Sequence, residues 1–227
     1  MHELTIITTS DGSHSLLNTA LNETYHSTHG AIQESIHVFI KNGLDFLLQQ
    51  KAIDEINILE IGFGTGLNVL LTRQRAAQTG KKIAYTSLEA FPIDINVVKK
   101  LNYPLVLMTN AEEFTGLHLL PWDQELEVAP NFHLAKLKIK LEEAHLENQK
   151  FDLVYYDAFA PSKQPEMWEL KVLRKVAEAM KPTAVFVTYC ARGQLKRDLK
   201  SLGFSVETLP GPPGKKEMVR AVKTTSH

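Results

Sequence analysis

The feature that most constrains the fold is a run of three glycines at every second position, directly after a short apolar segment. Ile56–Ile61 has the composition of a buried strand, and it overlaps the start of Glu60-Ile61-Gly62-Phe63-Gly64-Thr65-Gly66. Glycine lets the backbone turn sharply and approach a bound molecule, and a helix that follows presents unpaired N–H groups in its first turn. Since Leu67–Gln78 has helical periodicity, the segment predicts a strand, a ligand-binding loop and a helix.

The chain beyond this loop continues to alternate between strands and helices. The predicted strands are Ala84–Leu88, Phe132–Ile139, Phe151–Tyr156, Thr183–Tyr189, Phe204–Leu209 and Met218–Lys223, and the predicted helices are Ile93–Leu101, Ala111–Leu120, Leu170–Met180 and Arg192–Leu202. Such alternation predicts an α/β, Rossmann-like fold with a mostly parallel sheet covered on both faces. The last two strands are separated only by a loop, which predicts a C-terminal antiparallel hairpin.

The first 50 residues have a different pattern. Leu4–Thr9 and His14–Leu17 are predicted strands around a turn at 10–13, and Ala31–Leu48 is a predicted helix that breaks near Asn42-Gly43. We therefore expect a small N-terminal β/α extension, residues 1–50, packed on a catalytic domain that covers residues 51–227.

Composition limits the cellular setting. The 227 residues are 44% hydrophobic, enough for the core of one large domain. No stretch approaches the roughly 20 apolar residues that cross a bilayer, and the start lacks a charged leader before an apolar run, so neither a membrane location nor export is expected. Cys190 is the single cysteine, which excludes an internal disulfide and fits a reducing, cytoplasmic compartment.

Charge and histidine spacing limit the chemistry. With 25 basic and 26 acidic residues the chain lacks the overall positive charge of a bulk nucleic-acid binder, although a local basic face remains compatible with this balance. None of the nine histidines forms a pair with the His-Glu-x-x-His spacing of zinc enzymes. We therefore expect a mechanism without a metal ion.

Acidic residues at two strand ends indicate which ligand the glycine loop binds. Glu60 precedes the loop, and an acid there suits a cationic ligand, such as one that carries an ammonium and a sulfonium. Glu89 ends the next strand, where a carboxylate accepts hydrogen bonds from both hydroxyls of a ribose. This pattern favours S-adenosyl-L-methionine. The alternatives are a glycine-rich turn without a ligand and a surface glutamate.

Asp157 is the candidate catalytic residue. It ends the buried strand Phe151–Tyr156 and begins Asp157-Ala158-Phe159-Ala160-Pro161, at the sheet edge where α/β folds bind their ligands. Methyl transfer from a sulfonium needs an unprotonated, aligned nucleophile, so a carboxylate that holds an amine or takes its proton fits here. An aromatic wall at Phe159 would exclude water. The alternative is that Asp157 caps a turn and Phe159 fills the core.

Several motifs together resemble one family. They are Thr9-Ser10-Asp11-Gly12-Ser13, Glu23-Thr24-Tyr25-His26-Ser27, Leu59 to Asn68, Ser87-Leu88-Glu89-Ala90-Phe91-Pro92, Asp157 to Pro161 followed by Pro165-Glu166-Met167-Trp168, and Gly211 to Met218. This set resembles the MnmD type of transfer-RNA methyltransferases, class I S-adenosylmethionine-dependent enzymes similar to the amino-terminal half of the bifunctional MnmC. The resemblance spans nearly the whole chain.

The resemblance implies a specific reaction and specific residues. It implies methylation of the exocyclic amine of 5-aminomethyl-2-thiouridine at the transfer-RNA wobble position, which gives 5-methylaminomethyl-2-thiouridine. It assigns cofactor binding to Glu60, Gly62, Gly64, Gly66 and Glu89, catalysis to Asp157, and the nucleoside pocket to Tyr25, Ser27, Phe159 and Pro161. Because the chain ends soon after Met218, we expect no flavin here and a separate FAD-dependent oxidoreductase acting upstream.

Two points of the sequence leave alternatives open. Many relatives have an acid near the adenine after the third strand, whereas this chain has Lys138-Ile139-Lys140-Leu141-Glu142-Glu143, so the adenine contacts are unassigned. The balanced charge also permits methyl or aminopropyl transfer to a small-molecule amine, or a cofactor-binding module without catalysis. If RNA is the substrate, the expected basic face comprises Arg192, Lys196, Arg197, Lys215 and Lys216.

Overall fold

The computed structural model describes residues 4–50 and 52–225. Its strands are β1 (Leu4–Thr8), β2 (His14–Asn18), β3 (Glu23–Thr24), β4 (Glu55–Ile61), β5 (Lys82–Leu88), β6 (Gln124–Ala129), β7 (Phe132–Leu137), β8 (Phe151–Tyr156), β9 (Met180–Thr188), β10 (Phe204–Pro210) and β11 (Glu217–Lys223). Its α-helices are α1 (Ala31–Ser35), α2 (Phe46–Gln50), α3 (Leu67–Thr79), α4 (Ile95–Val98), α5 (Tyr103–Val106), α6 (Ala111–Leu119), α7 (Leu170–Ala179) and α8 (Gly193–Ser201). A π-helix at Ile36–Asp45 and a 3-10 helix at Pro165–Trp168 complete the described elements.

The large sheet has the predicted architecture. Eight strands of the described residues pair in the order β10-β11-β9-β8-β4-β5-β7-β6. The five from β9 to β7 are mutually parallel, and β10 and β11 add an antiparallel hairpin beside β9. All six residues of β8 are buried, as expected for a central strand covered on both faces. The mostly parallel sheet with a C-terminal antiparallel hairpin is therefore confirmed.

The opposite edge of the sheet contains a strand that the sequence did not predict. β6 runs antiparallel to β7 and carries glutamates at positions 125 and 127, with no buried residue along its length. Charged side chains protect an edge strand from pairing with another chain, and they also remove the apolar pattern by which strands are predicted. β6 covers β7, the strand predicted over Phe132–Ile139.

The helix predicted from Ala31 continues through Asn42-Gly43 instead of breaking there. The helical path runs from α1 through the π-helix into α2 without interruption. A Cβ on Gly43 would lie 3.1 Å from the side chain of Val187 and 3.2 Å from that of Tyr155. The glycine thus permits close packing of helix on sheet, and the predicted break was wrong.

A second predicted helix is shorter than expected. In place of one helix over Ile93–Leu101, the chain forms the single turn α4, capped by the Asp94 side chain, which accepts a hydrogen bond from the Asn96 N–H at 2.7 Å. A further single turn, α5, follows with Pro104 near its start. Proline is compatible with the first turn of a helix but not with its interior, which separates the two turns.

The N-terminal segment forms its own small sheet but shares the main core. β1, β2 and β3 pair antiparallel, as predicted for the first two. Leu16, Phe39 and Leu44 are buried in the same apolar cluster as Ile58 and Leu70. The division of the chain near residue 50 therefore stays a prediction. None of the helices in the described ranges combines the length and apolar character needed to span a membrane.

Candidate active site

One large cavity opens at the carboxyl ends of the parallel strands. Its volume is about 1060 Å³, and residues that follow β4, β5, β7, β8 and β9 line it. Residues 23–28 of the N-terminal segment, together with Glu34 and Lys215, form the remaining wall. Of the site residues predicted from sequence, those on the wall are Tyr25, Ser27, Gly62, Gly64, Glu89, Asp157 and Phe159. Glu60, Gly66 and Pro161 are not on the wall.

The glycine loop crosses the strand that carries Asp157. Gly62 has φ 94°, and a Cβ there would lie 2.8 Å from the backbone oxygen of Asp157. The Gly62 N–H donates to the carbonyl of Leu88 at 2.9 Å. Both the left-handed conformation and the close approach require glycine, which brings the ends of β4, β5 and β8 together around the cavity.

Glu89 connects two of the cavity loops. One carboxylate oxygen accepts the Gly64 N–H at 3.0 Å and the other accepts the Phe91 N–H at 2.8 Å. Burial raises the pKa of Glu89, and these backbone hydrogen bonds oppose that shift. Each oxygen keeps a second acceptor position, so the carboxylate is oriented and can accept two hydroxyl groups.

Glu60 lies behind the cavity wall. It is fully buried, and it accepts a hydrogen bond from the Ser87 hydroxyl at 2.6 Å. Burial raises the pKa of Glu60 to about 8, so the side chain is neutral at pH 7 in the cofactor-free protein. The role of Glu60 toward a cationic ligand stays a prediction.

The free energy of unfolding should depend on pH because Glu60 is buried. The ordinary pKa of 4.5 rises to about 8 at Glu60, so its contribution to stability is complete below pH 4.5 and is lost as the pH rises through 8. His26 and His118, whose pKa values burial lowers to about 4, change stability in the opposite direction, but only below pH 6.5. Asp157, whose pKa burial raises to about 7, acts in the same direction as Glu60. Between pH 6.5 and 7.5, we expect the free energy of unfolding to fall by about 2 kcal/mol, with more than half of the fall due to Glu60.

Chemical denaturation of the cofactor-free protein at several pH values measures this fall. Glu60→Gln should make the pH dependence shallower, because the amide cannot ionise. Glu55→Gln, on the exposed start of the same strand, is the matched control and should keep the wild-type slope. Equal slopes in all three proteins would contradict the assignment.

Asp157 has the electrostatics of a proton acceptor. Its carboxylate accepts a hydrogen bond from the Asn68 side chain at 2.8 Å and lies on the cavity wall. Burial and then the nearby Glu34 carboxylate raise the pKa of Asp157 to about 7, against the opposing effects of Asn68 and Lys215. A carboxyl group with a pKa near neutrality exchanges a proton readily at pH 7.

Aromatic rings close the cavity beside Asp157. Tyr25 and Phe159 meet edge to face with ring centroids 5.0 Å apart. The Phe159 carbonyl accepts the indole N–H of Trp168 at 2.8 Å, and Trp168 is buried. Behind Tyr25, the ring of His26 bonds to the Thr65 hydroxyl of the glycine loop at 2.8 Å. The N-terminal segment is thereby fixed to the loop.

Among the cavity residues that were not identified from sequence as site residues, Glu34, Asn68 and Tyr189 bear on the chemistry. Lys215 was assigned to an RNA-binding face, but its ammonium forms an ion pair with buried Glu34 and lies 3.7 Å from the centroid of the Tyr189 ring. Lys196 pairs with Glu217 at 3.0 Å. Both ammonium groups are thus paired with carboxylates distant in sequence, and the assignment of Lys196 and Lys215 to an RNA-binding face stays a prediction.

Comparisons with known proteins identify the family. A profile described as S-adenosyl-L-methionine-dependent methyltransferase matches residues 108–224. The chain belongs to this family. It is 31% identical, over 90% of its length, to the tRNA 5-methylaminomethyl-2-thiouridine biosynthesis bifunctional protein MnmC of Pseudoalteromonas atlantica, and 32% identical over 89% to that of Idiomarina loihiensis. It covers only 31% and 36% of those two proteins, about a third of their length.

A solved structure agrees with the methyltransferase assignment. The crystal structure of MNMC2 from Aquifex aeolicus superposes on the chain with a TM-score of 0.78 at 25% identity. The match covers 100% of this methyltransferase and 72% of that chain. The similarity therefore includes the N-terminal segment as well as the Rossmann-like sheet.

Proposed function

We propose that this methyltransferase transfers a methyl group from S-adenosyl-L-methionine to the exocyclic amine of 5-aminomethyl-2-thiouridine at the transfer-RNA wobble position. The product is the 5-methylaminomethyl nucleoside. The observation that carries the proposal is that Asp157, with a pKa near 7, shares one cavity with the glycine loop and Glu89. The names of the MnmC relatives, which refer to this nucleoside, support the choice of acceptor.

The residues of the cavity fit the cofactor. A Cβ at Gly62 would meet the Asp157 backbone and one at Gly64 would meet the Tyr25 ring, so glycine lets the loop line the cavity with bare backbone. Glu89 offers two oriented oxygens to a ribose. We assign cofactor binding to these residues, with Glu60 and Gly66 supporting the loop from behind. The bound cofactor supplies an electrophilic methyl group. No metal ion or flavin enters the proposed reaction.

The chain itself controls the acceptor amine. An alkylamine is protonated at neutral pH, and Asp157 takes the proton so that the nitrogen lone pair becomes available. The new N–C bond forms as the S–C bond breaks, and S-adenosylhomocysteine leaves. Tyr25 and Phe159 exclude water from the reacting atoms, and Ser27 completes the nucleoside pocket. Pro161, which is not on the cavity wall, supports the loop that carries Phe159. Asn68 orients the carboxylate.

Two lysines that line the cavity are candidates for contact with an RNA backbone. Lys138 follows β7 and Lys163 follows β8, so two different loops carry positive charge beside the cavity. We propose that they bind phosphates together with Arg192, Arg197 and Lys216. The overall charge of −1 is compatible with RNA binding, because local contacts position the phosphates and the pocket reads the base.

Lys138→Gln and Lys163→Gln should each weaken RNA binding and lower the slope of log affinity against log salt concentration by about 0.7, the contribution of one phosphate contact on single-stranded RNA. Fluorescence anisotropy with an anticodon stem-loop at several salt concentrations measures both effects. Lys99→Gln, an exposed lysine away from the cavity, should leave the slope unchanged. If the salt dependence of both variants matched that of wild type, Lys138 and Lys163 would not belong to the RNA interface.

The reaction itself is tested with labelled cofactor. Transfer RNA from a strain that lacks the methylase is incubated with the protein, digested, and analysed by mass spectrometry. The expected result is a labelled 5-methylaminomethyl-2-thiouridine at the wobble position. Absence of label in that nucleoside rejects the proposed acceptor.

The cavity also supports a second candidate, methyl or aminopropyl transfer to a small-molecule amine. Glu23, Glu34 and Asp157 all line it, and several carboxylates in one cavity suit a polyamine. Turnover of putrescine or spermidine without RNA would favour this function. For the RNA substrate, we also propose that the enzyme acts in the cytoplasm and that a separate FAD-dependent oxidoreductase supplies the acceptor. The small-molecule reaction needs no such partner.

A further inference from the structure

A carboxylate without a role in the proposed reaction lies in the same cavity as Asp157. Glu34 belongs to α1, ahead of the glycine loop in sequence, and only 5% of its side chain is exposed. One of its oxygens accepts the Ser27 N–H at 2.7 Å, and the other pairs with the ammonium of Lys215. The carboxylate is therefore fixed from two sides.

The partner lysine is fixed as well. Lys215 lies in the loop between β10 and β11, where Gly211 approaches it so closely that a Cβ would lie 2.4 Å from the Lys215 carbonyl oxygen. Its ammonium contacts the face of Tyr189, 3.7 Å from the ring centroid. The Tyr189 hydroxyl donates to the carbonyl of Ala158, next to Asp157, at 2.8 Å. The ion pair is thus anchored beside the candidate catalytic residue.

Among the described residues, Glu34 and Lys215 are the charged groups that shift the pKa of Asp157. Asp157 in turn acts on Glu60, Tyr85, Tyr103 and Tyr189. Burial raises the pKa of Glu60 to about 8 and raises those of the three tyrosines further above their ordinary value, so all four are uncharged at neutral pH. Of the two charged groups, Glu34 has the larger influence on the pKa of Asp157, and Lys215 opposes it.

We propose that Glu34 is a positioning residue for methyl transfer: held by Ser27 and Lys215, it keeps a negative charge in the cavity that Asp157 lines and so favours proton uptake by Asp157. The inference rests on the proposed function for its chemical meaning. The proton of the acceptor ammonium passes to the Asp157 carboxylate, and the neutral nitrogen then forms the bond to carbon. A like charge nearby makes that carboxylate the better base. Glu34 itself does not touch the reacting atoms.

Titration of Asp157 tests the inference without any acceptor. The full-length, cofactor-free protein is labelled with 13C at carboxyl carbons, and the Asp157 signal is assigned by its loss in Asp157→Asn. Glu34→Gln should lower the Asp157 titration midpoint by about one pH unit, the usual size of one nearby charge. Glu23→Gln changes another carboxylate of the cavity that does not act on Asp157 directly, so it should move the midpoint little.

A double variant controls for misfolding that an unpaired Lys215 could cause in Glu34→Gln. Glu34→Gln/Lys215→Gln leaves no unpaired buried charge, and it should lower the midpoint by less than Glu34→Gln because the opposing cation is also removed. Glu34→Asp keeps the charge and should stay close to wild type. A midpoint that does not move in either glutamine variant, or that moves equally in Glu23→Gln, overturns the inference.

Catalysis gives the second readout. With the RNA acceptor, kcat/KM is measured as a function of pH. In Glu34→Gln, the acidic limb of this profile should move to lower pH by the same amount as the NMR midpoint. The plateau should fall about threefold because Asp157 is then the weaker base. A purely structural role would lower the plateau without moving the limb. If RNA proves not to be the acceptor, the NMR titration still shows whether Glu34 shifts the titration of Asp157. A failure of the proposed function is therefore distinguishable from a failure of the inference about Glu34.

Discussion

Asp157→Ala is expected to lower the rate of methyl transfer by about 10²- to 10⁴-fold, the contribution of a positioned acid–base group. Affinity for S-adenosyl-L-methionine should change little, because the proposed contacts to the cofactor come from the glycine loop and Glu89. Single-turnover assays with transfer RNA measure the rate, and isothermal titration calorimetry measures cofactor binding. Normal turnover in this variant would remove Asp157 from the mechanism.

Asp157→Asn separates the two roles that a carboxylate can have here. The amide oxygen still accepts the hydrogen bond that Asn68 donates, but the side chain cannot take a proton at neutral pH. A loss as large as that of Asp157→Ala identifies proton transfer as the main contribution. A much smaller loss identifies orientation of the amine. In wild type, the acidic limb of the profile should lie near pH 7, because Asp157 must be ionised before the acceptor loses its proton.

Gly62→Ala is expected to weaken cofactor binding by more than about tenfold and to lower the free energy of unfolding by about 1–3 kcal/mol. The added Cβ would lie 2.8 Å from the backbone oxygen of Asp157, and alanine disfavours φ 94°. Relief of this contact must separate the ends of β4 and β8. Calorimetry with the cofactor and thermal unfolding of the free protein measure the two effects.

Gly80→Ala is the matched control. Gly80 also has a positive φ, 67°, at the end of α3, but a Cβ there meets no atom within 4 Å. It should cost about 1 kcal/mol of stability, the backbone effect alone, and leave cofactor affinity unchanged. Equal cofactor affinities in Gly62→Ala and Gly80→Ala would show that the crossing of the loops does not shape the binding site.

The fold could be predicted because its signals are local. Apolar strands, the glycine loop and amphipathic helices each occupy a short window of sequence, and their alternation predicts a mostly parallel sheet. β6 was not predicted because an edge strand with alternating glutamates has no buried residue and therefore no apolar pattern. The helix break predicted at Gly43 was wrong because, in sequence, a glycine that permits close packing looks the same as a glycine that ends a helix.

The candidate site could be predicted only in part. Glu89 and Asp157 end apolar strands, and parallel strands bring such positions to one edge of the sheet. The ion pair between Glu34 and Lys215 joins residues 181 positions apart. One sequence contains no signal for such a contact, and an exposed basic face was the natural interpretation of Lys215 and Lys216. The burial that neutralises Glu60 is likewise a property of packing.

The bond between His26 and Thr65 has a practical consequence for anyone who reshapes this enzyme. A version trimmed to the Rossmann-like sheet would keep every strand that carries Glu89 and Asp157, yet it would lack the ring of Tyr25 and the segment that braces the glycine turn. Solvent would then reach the place where a proton must leave the amine. Chimeras and shortened variants should therefore retain residues 4–50 as an integral wall of the reaction chamber.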